Sequence, residues 1–227
     1  MTLIPLAMAV RTVALLFHKP ANLVCSHRDE HGRETVYDRI LADARVRSIQ
    51  EGTGRLHAVG RLDQNTTGLL LLSNDGRLVQ HCTDPTAGRH CFDPIEKMYQ
   101  ASCRKLNEAQ LASLRGGVQL SGGLGMSRPA EVQVVAETTA TSTIQLTLRE
   151  GKNRQIRRML HGVGSACFKL HRLSFGGLTL EGVNEGEWRL LGDQELRDHL
   201  RYAPREFEPE VRAQQRRMRR HSPKSRR

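Results

Sequence analysis

Short apolar stretches alternate with turn residues along most of this chain, and their lengths favour β-strands. The stretches that predict strands are VALLF (13–17), HAV (57–59), GLLLLS (68–73), KMYQASC (97–103), EVQVV (131–135) and STIQLTLRE (142–150). Helices are predicted at ETVYDRILA (34–42) and NEAQLASLRGG (107–117), the second ending in a Gly pair typical of a C-cap. Because no regular crossover helices separate the strands, the pattern predicts an α+β fold with a largely antiparallel sheet.

The clearest helical pattern is NRQIRRMLHGVG (153–164), which follows the turn GKN. Its apolar positions recur at i, i+3, i+4 and i+7 and are Ile156, Met159, Leu160 and Val163. A basic ridge with the same spacing flanks that stripe and consists of Arg154, Arg157, Arg158 and His161. The ridge fits either a solvated helix face or a binding surface. Arg157 leaves the helix near the core boundary, where a carboxylate partner would offset its desolvation.

The positive charge of the chain indicates a polyanionic partner. The 227 residues carry a net charge of +11, and a 38% hydrophobic content is compatible with a packed core. From Val211 to the C-terminus there are eight Lys or Arg and no Asp or Glu, so the tail holds most of the excess charge. Such a tail is either a solvated extension or a nucleic-acid contact. Apolar periodicity fades beyond Asp198, which predicts that the folded part ends near residue 200.

The cysteines and the N-terminus argue against several other classes. Five cysteines without a CxxC pair favour reduced thiols, and the pairs His81–Cys82 and His90–Cys91 lack zinc-ligand spacing, so no metal site is expected. The apolar N-terminus has no basic n-region, and Arg11 interrupts it well short of the ~20 residues of a membrane span. We expect an intracellular protein with no membrane association.

One carboxylate lies where apolar residues would be expected. In HAVGRLDQNTTGLLLLSNDG (57–76), Asp63 comes two positions after Arg61 and just ahead of the leucine run. The residues alone predict a strand-edge carboxylate near basic groups, and nothing more specific.

Six motifs in order identify a family resemblance. They are LLFHKPANLVCS, HAVGRLDQNTTGLLLLSNDG, EKMYQ, LREGKNRQIRRMLHGVG, KLHRLSFGGL and NEGEWRLL. Over residues 13–192 the chain resembles the RsuA-like family of ribosomal-RNA pseudouridine synthases. The resemblance implies the pseudouridine synthase fold, a mixed sheet with flanking helices and a central RNA-binding cleft. It also implies a catalytic domain at 13–200, between an extension at 1–12 and a basic tail at 201–227.

The resemblance assigns roles that the residues alone do not. Asp63 matches the catalytic aspartate, as a nucleophile or a base, and Arg157 its carboxylate partner. Tyr99 matches the residue whose ring stacks on the target uracil, although a tyrosine on a strand is more often a packing residue. By analogy with distant pseudouridine synthases, Arg61 fills the space that a flipped uridine leaves. The expected substrate is ribosomal RNA, acted on by a cytoplasmic monomer without cofactor or metal, or by an organellar one if the source is eukaryotic.

The remaining site expectations are less specific. Arg154 and Arg158 are expected to contact RNA. Ile156 and Leu173 are expected to form an apolar wall of the uracil pocket, with plain core packing as the alternative. Most members of the family carry an N-terminal S4 module, whereas about a dozen residues precede VALLF here. The shorter N-terminus favours the branch of the E-type synthases, which act on the large ribosomal RNA and lack that module. A noncatalytic ribosomal-RNA binding or assembly factor and a carboxylate-based hydrolase are the alternative functions.

Overall fold

The computed structural model describes residues 10–83 and 94–207, which form a nine-stranded mixed β-sheet with helices on both faces and two further two-stranded sheets. The His90–Cys91 pair and the basic residues from Val211 onward lie outside the described residues. The strands are β1 (Val10–Arg11), β2 (Ala14–Lys19), β3 (His57–Val59), β4 (Thr66–Ser73), β5 (Lys97–Arg104), β6 (Gln119–Leu120), β7 (Gly125–Met126), β8 (Glu131–Glu137), β9 (Thr141–Leu148), β10 (Cys167–Phe175), β11 (Leu178–Thr179), β12 (Trp188–Leu190) and β13 (Glu206–Phe207). The helices are α1 (Val36–Leu41), α2 (Ala44–Thr53), α3 (Gly76–Thr83), α4 (Glu108–Gly116), α5 (Gln155–Gly162) and α6 (Asp193–Leu200).

The main sheet has the order β12-β2-β4-β10-β5-β9-β8, with β3 on β4 and β11 on β10. Its ladders are antiparallel except that between β4 and β10, where Leu170 pairs with Thr66 and Arg172 with Gly68. The predicted α+β class and the largely antiparallel sheet are therefore confirmed. A side chain at position 68 is excluded, because a Cβ there would lie 2.3 Å from the Arg172 carbonyl oxygen and φ is +105°.

Apolar residues cover both faces of the sheet. One face of β4 packs Leu69 and Leu71 under α3 and α6, and the other packs Leu70 and Leu72 under α1 and α2. The β5, β8 and β9 half is covered by α4 and α5. The predicted stripe of α5 is confirmed, since Ile156, Met159 and Leu160 are buried and Val163 packs against the same cluster.

The elements that the sequence did not predict include three helices, α2, α3 and α6, and the central strand β10. The helix α2 buries only Val46, while α3 begins with a glycine inside the turn-like SNDG. The strand β10 carries His171 and Arg172 in the middle of the sheet, so its polar content conceals a central strand. Among the helices of residues 10–83 and 94–207, none has the length and apolar content needed to span a bilayer.

Paired structure extends past both ends of the expected 13–200 range. Val10 and Arg11 pair with Phe207 and Glu206, so the region expected to be extension and tail contributes two strands. Beneath them the Asp75 carboxylate, which has no exposed surface, accepts hydrogen bonds from Thr12 Oγ1 at 2.8 Å, Tyr202 OH at 2.5 Å and Arg205 Nη2 at 2.8 Å. Burial raises the pKa of Asp75, but these hydrogen bonds outweigh it, and the pKa lies below its ordinary value of 3.8.

We expect Asp75→Asn to lower the free energy of unfolding at pH 7 by about 3 kcal/mol, because the neutral amide no longer offsets the charge of the Arg205 guanidinium and offers one acceptor oxygen in place of two. The pKa of Asp75 is lowered in the folded state, so its contribution is complete above pH 3.8 and disappears as the pH falls further. The free energies of unfolding of the wild type and the variant, measured with urea, should therefore converge below about pH 4. Equal stability at pH 7 would contradict this role, and Tyr202→Phe, which removes one donor, should cost only about 1 kcal/mol.

Candidate functional site

Asp63 lies in a turn that leads into β4, and a buried lysine holds that turn. The Thr66 N–H donates to the Asp63 carbonyl at 3.0 Å. Lys19, at the end of β2, has no exposed surface, and its Nζ donates to the carbonyls of Pro20 at 2.9 Å, Gln64 at 3.0 Å and Thr66 at 2.9 Å. Burial lowers the pKa of Lys19 to about 8, against raising contributions from nearby acids that include Asp63. Lys19 was not among the site residues predicted from the sequence, although it lies between a predicted strand and the proline of HKP.

Two arginines face the Asp63 carboxylate. Arg157 Nε lies 3.5 Å and Arg154 Nη1 3.6 Å from Asp63 Oδ2. The other Arg157 nitrogens donate to the carbonyls of Cys167 at 3.3 Å and Asn65 at 3.4 Å, so its guanidinium is fixed between β10 and the Asp63 turn. The Arg157 side chain is 16% exposed and that of Arg154 52%. Arg157 is therefore the fixed neighbour of Asp63, and Arg154 lies at the mouth of the site.

A cavity of about 90 Å³ opens beside Asp63. Its apolar wall consists of Leu62, Tyr99, Leu148, Ile156 and Leu170. Its polar lining includes Arg61, Asp63, Thr66, Glu150, Lys152, Arg154 and Gln155. The structure thus gathers Asp63, Tyr99, Ile156, Arg61 and Arg154 around one cavity, although they come from separate parts of the chain.

A buried arginine lies behind Tyr99. Arg172 is 1% exposed, and its Nε donates to the Leu69 carbonyl at 2.6 Å. Its other nitrogens donate to the Gly60 carbonyl at 3.4 Å and the Tyr99 hydroxyl at 3.5 Å. Arg172 therefore connects Tyr99 to the strand that follows Asp63. Arg172 was not predicted as a site residue, because a charged side chain is rarely buried inside a sheet.

Two expected site residues lie elsewhere. Leu170 lines the cavity and Leu173 does not. Residues three apart on a regular strand point to opposite faces, and the pairing of β10 with β5 is also irregular between Arg172 and Ser174. Arg158 is half-buried and donates to Ser121 O and Oγ, both at 2.9 Å, and to Asn153 O at 3.0 Å. Arg158 therefore fastens α5 to the β6–β7 hairpin and does not line the cavity.

A groove of about 650 Å³ continues from the cavity, between residues 24–33 and the loop before α5. Asp63, Arg61 and Arg154 line both spaces. Arg33 in the groove is paired with Asp29, whereas the guanidinium groups of Arg28 and Arg61 make no hydrogen bond or ion pair with any described residue. Exposed guanidinium groups of this kind are suited to phosphate oxygens.

Other polar residues near the cavity are engaged or protonated. Glu150, a second carboxylate in the lining, accepts from Arg128 N at 2.8 Å and from the Gln155 amide. Cys25 lines the groove, and burial raises the pKa of its thiol, which disfavours the nucleophilic thiolate. Within residues 10–83 and 94–207, no group of three or more His, Cys, Asp or Glu side chains is placed to hold a metal ion.

Comparison with known proteins agrees with this geometry. Residues 13–162 match the family described as RNA pseudouridylate synthase. Ribosomal small subunit pseudouridine synthase A of Vibrio cholerae is 34% identical over 80% of this chain and 71% of its own length. Ribosomal large subunit pseudouridine synthase E of Vibrio vulnificus is 32% identical over 81% of this chain and 76% of its own length. A crystal structure of pseudouridylate synthase superposes with a TM-score of 0.69 at 29% identity, covering 83% of this chain and 74% of that one.

Lys19→Met should destabilise the protein, because three carbonyl oxygens around the Asp63 turn lose their donor. The pKa of Lys19 is about 8 when folded and 10.5 when free, so between these values the unfolded chain binds more protons. The wild type therefore gains more stability from pH 8 to 10 than the variant, which lacks the Lys19 contribution. Urea unfolding at pH 7, 9 and 10 measures the difference, with Lys169→Met as an exposed control. If the difference in the free energy of unfolding between the wild type and Lys19→Met stays constant or narrows as the pH rises, the prediction is wrong.

Proposed function

This chain belongs to the RNA pseudouridylate synthase family, and we propose that it converts a uridine of ribosomal RNA into pseudouridine. In this isomerisation the N1–C1′ bond of the nucleotide breaks and a C5–C1′ bond forms. One proton leaves C5 and one is gained at N1, so no electrons and no external group are exchanged. The reaction balances without a cofactor, and we expect none.

The observation that carries the proposal is the Asp63 carboxylate, which lies between a cavity with an apolar wall and a groove lined by several arginines. Asp63 is 25% exposed and faces the fixed Arg157 guanidinium at 3.5 Å. This fixed positive neighbour holds the orientation of the carboxylate. The Asp63 carboxylate acts either as a nucleophile toward the sugar or as a base for a sugar proton, and both roles place the ribose at the cavity mouth.

The apolar cavity wall suits a uracil ring. Tyr99 reaches the cavity from β5 and is held from behind by Arg172, so its ring offers a fixed stacking surface. Ile156 and Leu170 contribute the aliphatic part of the wall. We assign the Tyr99 ring to stacking and its hydroxyl to late proton transfer.

The groove supplies the surface for the RNA strand. A uridine in folded RNA must leave its stack to reach Asp63, which costs a few kcal/mol. Arg61 is exposed and borders both the cavity and the groove, so its position suits the space that the base leaves. Arg154 and Arg28 are placed for phosphate contacts on either side of the groove.

Ribosomal RNA is the substrate class to test first, because the named relatives include enzymes of both ribosomal subunits. We propose that the protein is active as a monomer, because Asp63, Tyr99 and Arg154 already meet at one cavity within a single chain. A role in ribosome maturation also implies a location with the assembling ribosome, which in a bacterium is the cytoplasm.

We expect Asp63→Asn to lower turnover by at least about 10³-fold, because Asn keeps the volume of the carboxylate without its charge. Tritium release from ribosomal RNA labelled at uridine C5, taken from a strain lacking this protein, measures turnover, and sequencing locates the new pseudouridine. Asp198→Asn on exposed α6 is the matched control. Activity of Asp63→Asn above a few per cent of wild type would refute the assignment, and an RNA-binding wild type without tritium release would favour a noncatalytic factor.

Tyr99→Phe and Tyr99→Ala should separate the two roles of the tyrosine. Phe keeps the ring, so RNA binding should persist while turnover falls for want of the hydroxyl. Ala also removes the stacking surface, which should weaken binding by about 1 to 3 kcal/mol. Binding by filter retention and single-turnover rates test both effects. Full activity in both variants would return Tyr99 to a packing role.

A further inference from the structure

Thr66 lines the cavity and carries a buried hydroxyl that has no hydrogen-bond partner among the described residues. Thr66 is 2% exposed, lies three residues after Asp63 and lines the cavity. Its backbone is fully used, since the N–H donates to Asp63 O at 3.0 Å and the carbonyl accepts from Lys19 Nζ at 2.9 Å. The side-chain Oγ1 finds no hydrogen-bond partner among the described residues.

Within residues 10–83 and 94–207, the other buried hydroxyls are paired. Thr12 Oγ1 donates to Asp75 at 2.8 Å and Thr35 Oγ1 to Asp38 at 2.8 Å. The adjacent Thr67, on the opposite face of β4, bonds His171 Nδ1 at 2.8 Å. An unpaired buried hydroxyl is unfavourable, and valine would fill the same volume without that penalty. The exception therefore indicates a group that a ligand satisfies.

We propose that the Thr66 hydroxyl binds the edge of the uracil ring of the flipped nucleotide and so recognises the base. This inference rests on the proposed function. The cavity wall near Thr66 is formed by Tyr99, Ile156 and Leu170, which suits a base, whereas the exposed Arg61 and Arg154 lie at the mouth where the phosphates pass. Uracil offers carbonyl oxygens O2 and O4 as acceptors and N3–H as a donor, and a hydroxyl matches either kind.

The isomerisation itself favours a hydroxyl at this place. When uracil makes a half turn about the line through N3 and C6, N1 exchanges with C5 and O2 exchanges with O4. A donor directed at one carbonyl oxygen before the turn therefore meets the other carbonyl oxygen afterwards. Thr66 Oγ1 thus keeps a partner in the substrate and in the product without moving.

The stability and the activity of Thr66→Val should change independently. The melting temperature should stay the same or rise, because an unpaired hydroxyl is removed, while kcat/KM falls about 3- to 10-fold. Thr66→Ser restores the hydroxyl and should recover most of the activity. Thr67→Val is the matched control: it removes the bond to His171, so stability should fall while kcat/KM stays near the wild-type value.

A sulfur substitution on the base tests the contact directly. Target RNA fragments transcribed with 2-thiouridine or 4-thiouridine carry a weak acceptor at one carbonyl position, so the wild type should lose rate on one or both. Thr66→Val lacks the donor and should lose less from the same substitution. Equal thio effects in both proteins, or full kcat/KM in Thr66→Val, would overturn the inference. A wild type that releases no tritium from normal RNA would instead overturn the proposed function.

Discussion

The buried ammonium group of Lys19 holds the backbone on which the site depends. Three carbonyl oxygens share this one cation, and two of them, from Gln64 and Thr66, belong to the turn that presents Asp63. A buried cation tolerates few arrangements of its surroundings, because each lost acceptor leaves the charge less compensated. Lys19 therefore fixes the start of β4, the direction of the Asp63 carboxylate and the place of the Thr66 hydroxyl together.

Three basic side chains are buried within the main sheet. Lys19 and Arg172 are buried in the same sheet, and Lys97, whose pKa burial lowers to about 8, lies on β5 next to β10. The close parallel contact of β4 and β10 at Arg172 requires a glycine at position 68. The backbone that carries this buried guanidinium therefore depends on the packing of the two strands.

Local patterns predicted half of the helices and most of the long strands, but the site depends on contacts that no local pattern contains. The helix α5 was predictable because Ile156, Met159 and Leu160 repeat with the helical period. The approach of Arg157 to Asp63 joins residues 94 positions apart, and only the family resemblance pointed to it before the structure. Leu170 was missed in favour of Leu173 because strand direction and the irregular pairing after Arg172 decide which leucine faces the cavity. Lys19 and Arg172 were missed because general expectation places such side chains at the surface.

The unsatisfied polar atoms concentrate where substrate is expected. Among the described residues three buried side-chain atoms lack a hydrogen-bond partner, and two of them, Thr66 Oγ1 and Arg157 Nε, lie beside Asp63. Arg157 Nε is 3.5 Å from the carboxylate, which makes an ion pair but a poor hydrogen bond. Preorganised polar groups that are incompletely paired in the free protein cost stability and gain their partners when a ligand arrives. Elsewhere in the same fold, the buried Asp75 carboxylate accepts hydrogen bonds from three side chains. The two unpaired atoms beside Asp63 are therefore a local property of the site and do not reflect poor packing of the whole fold.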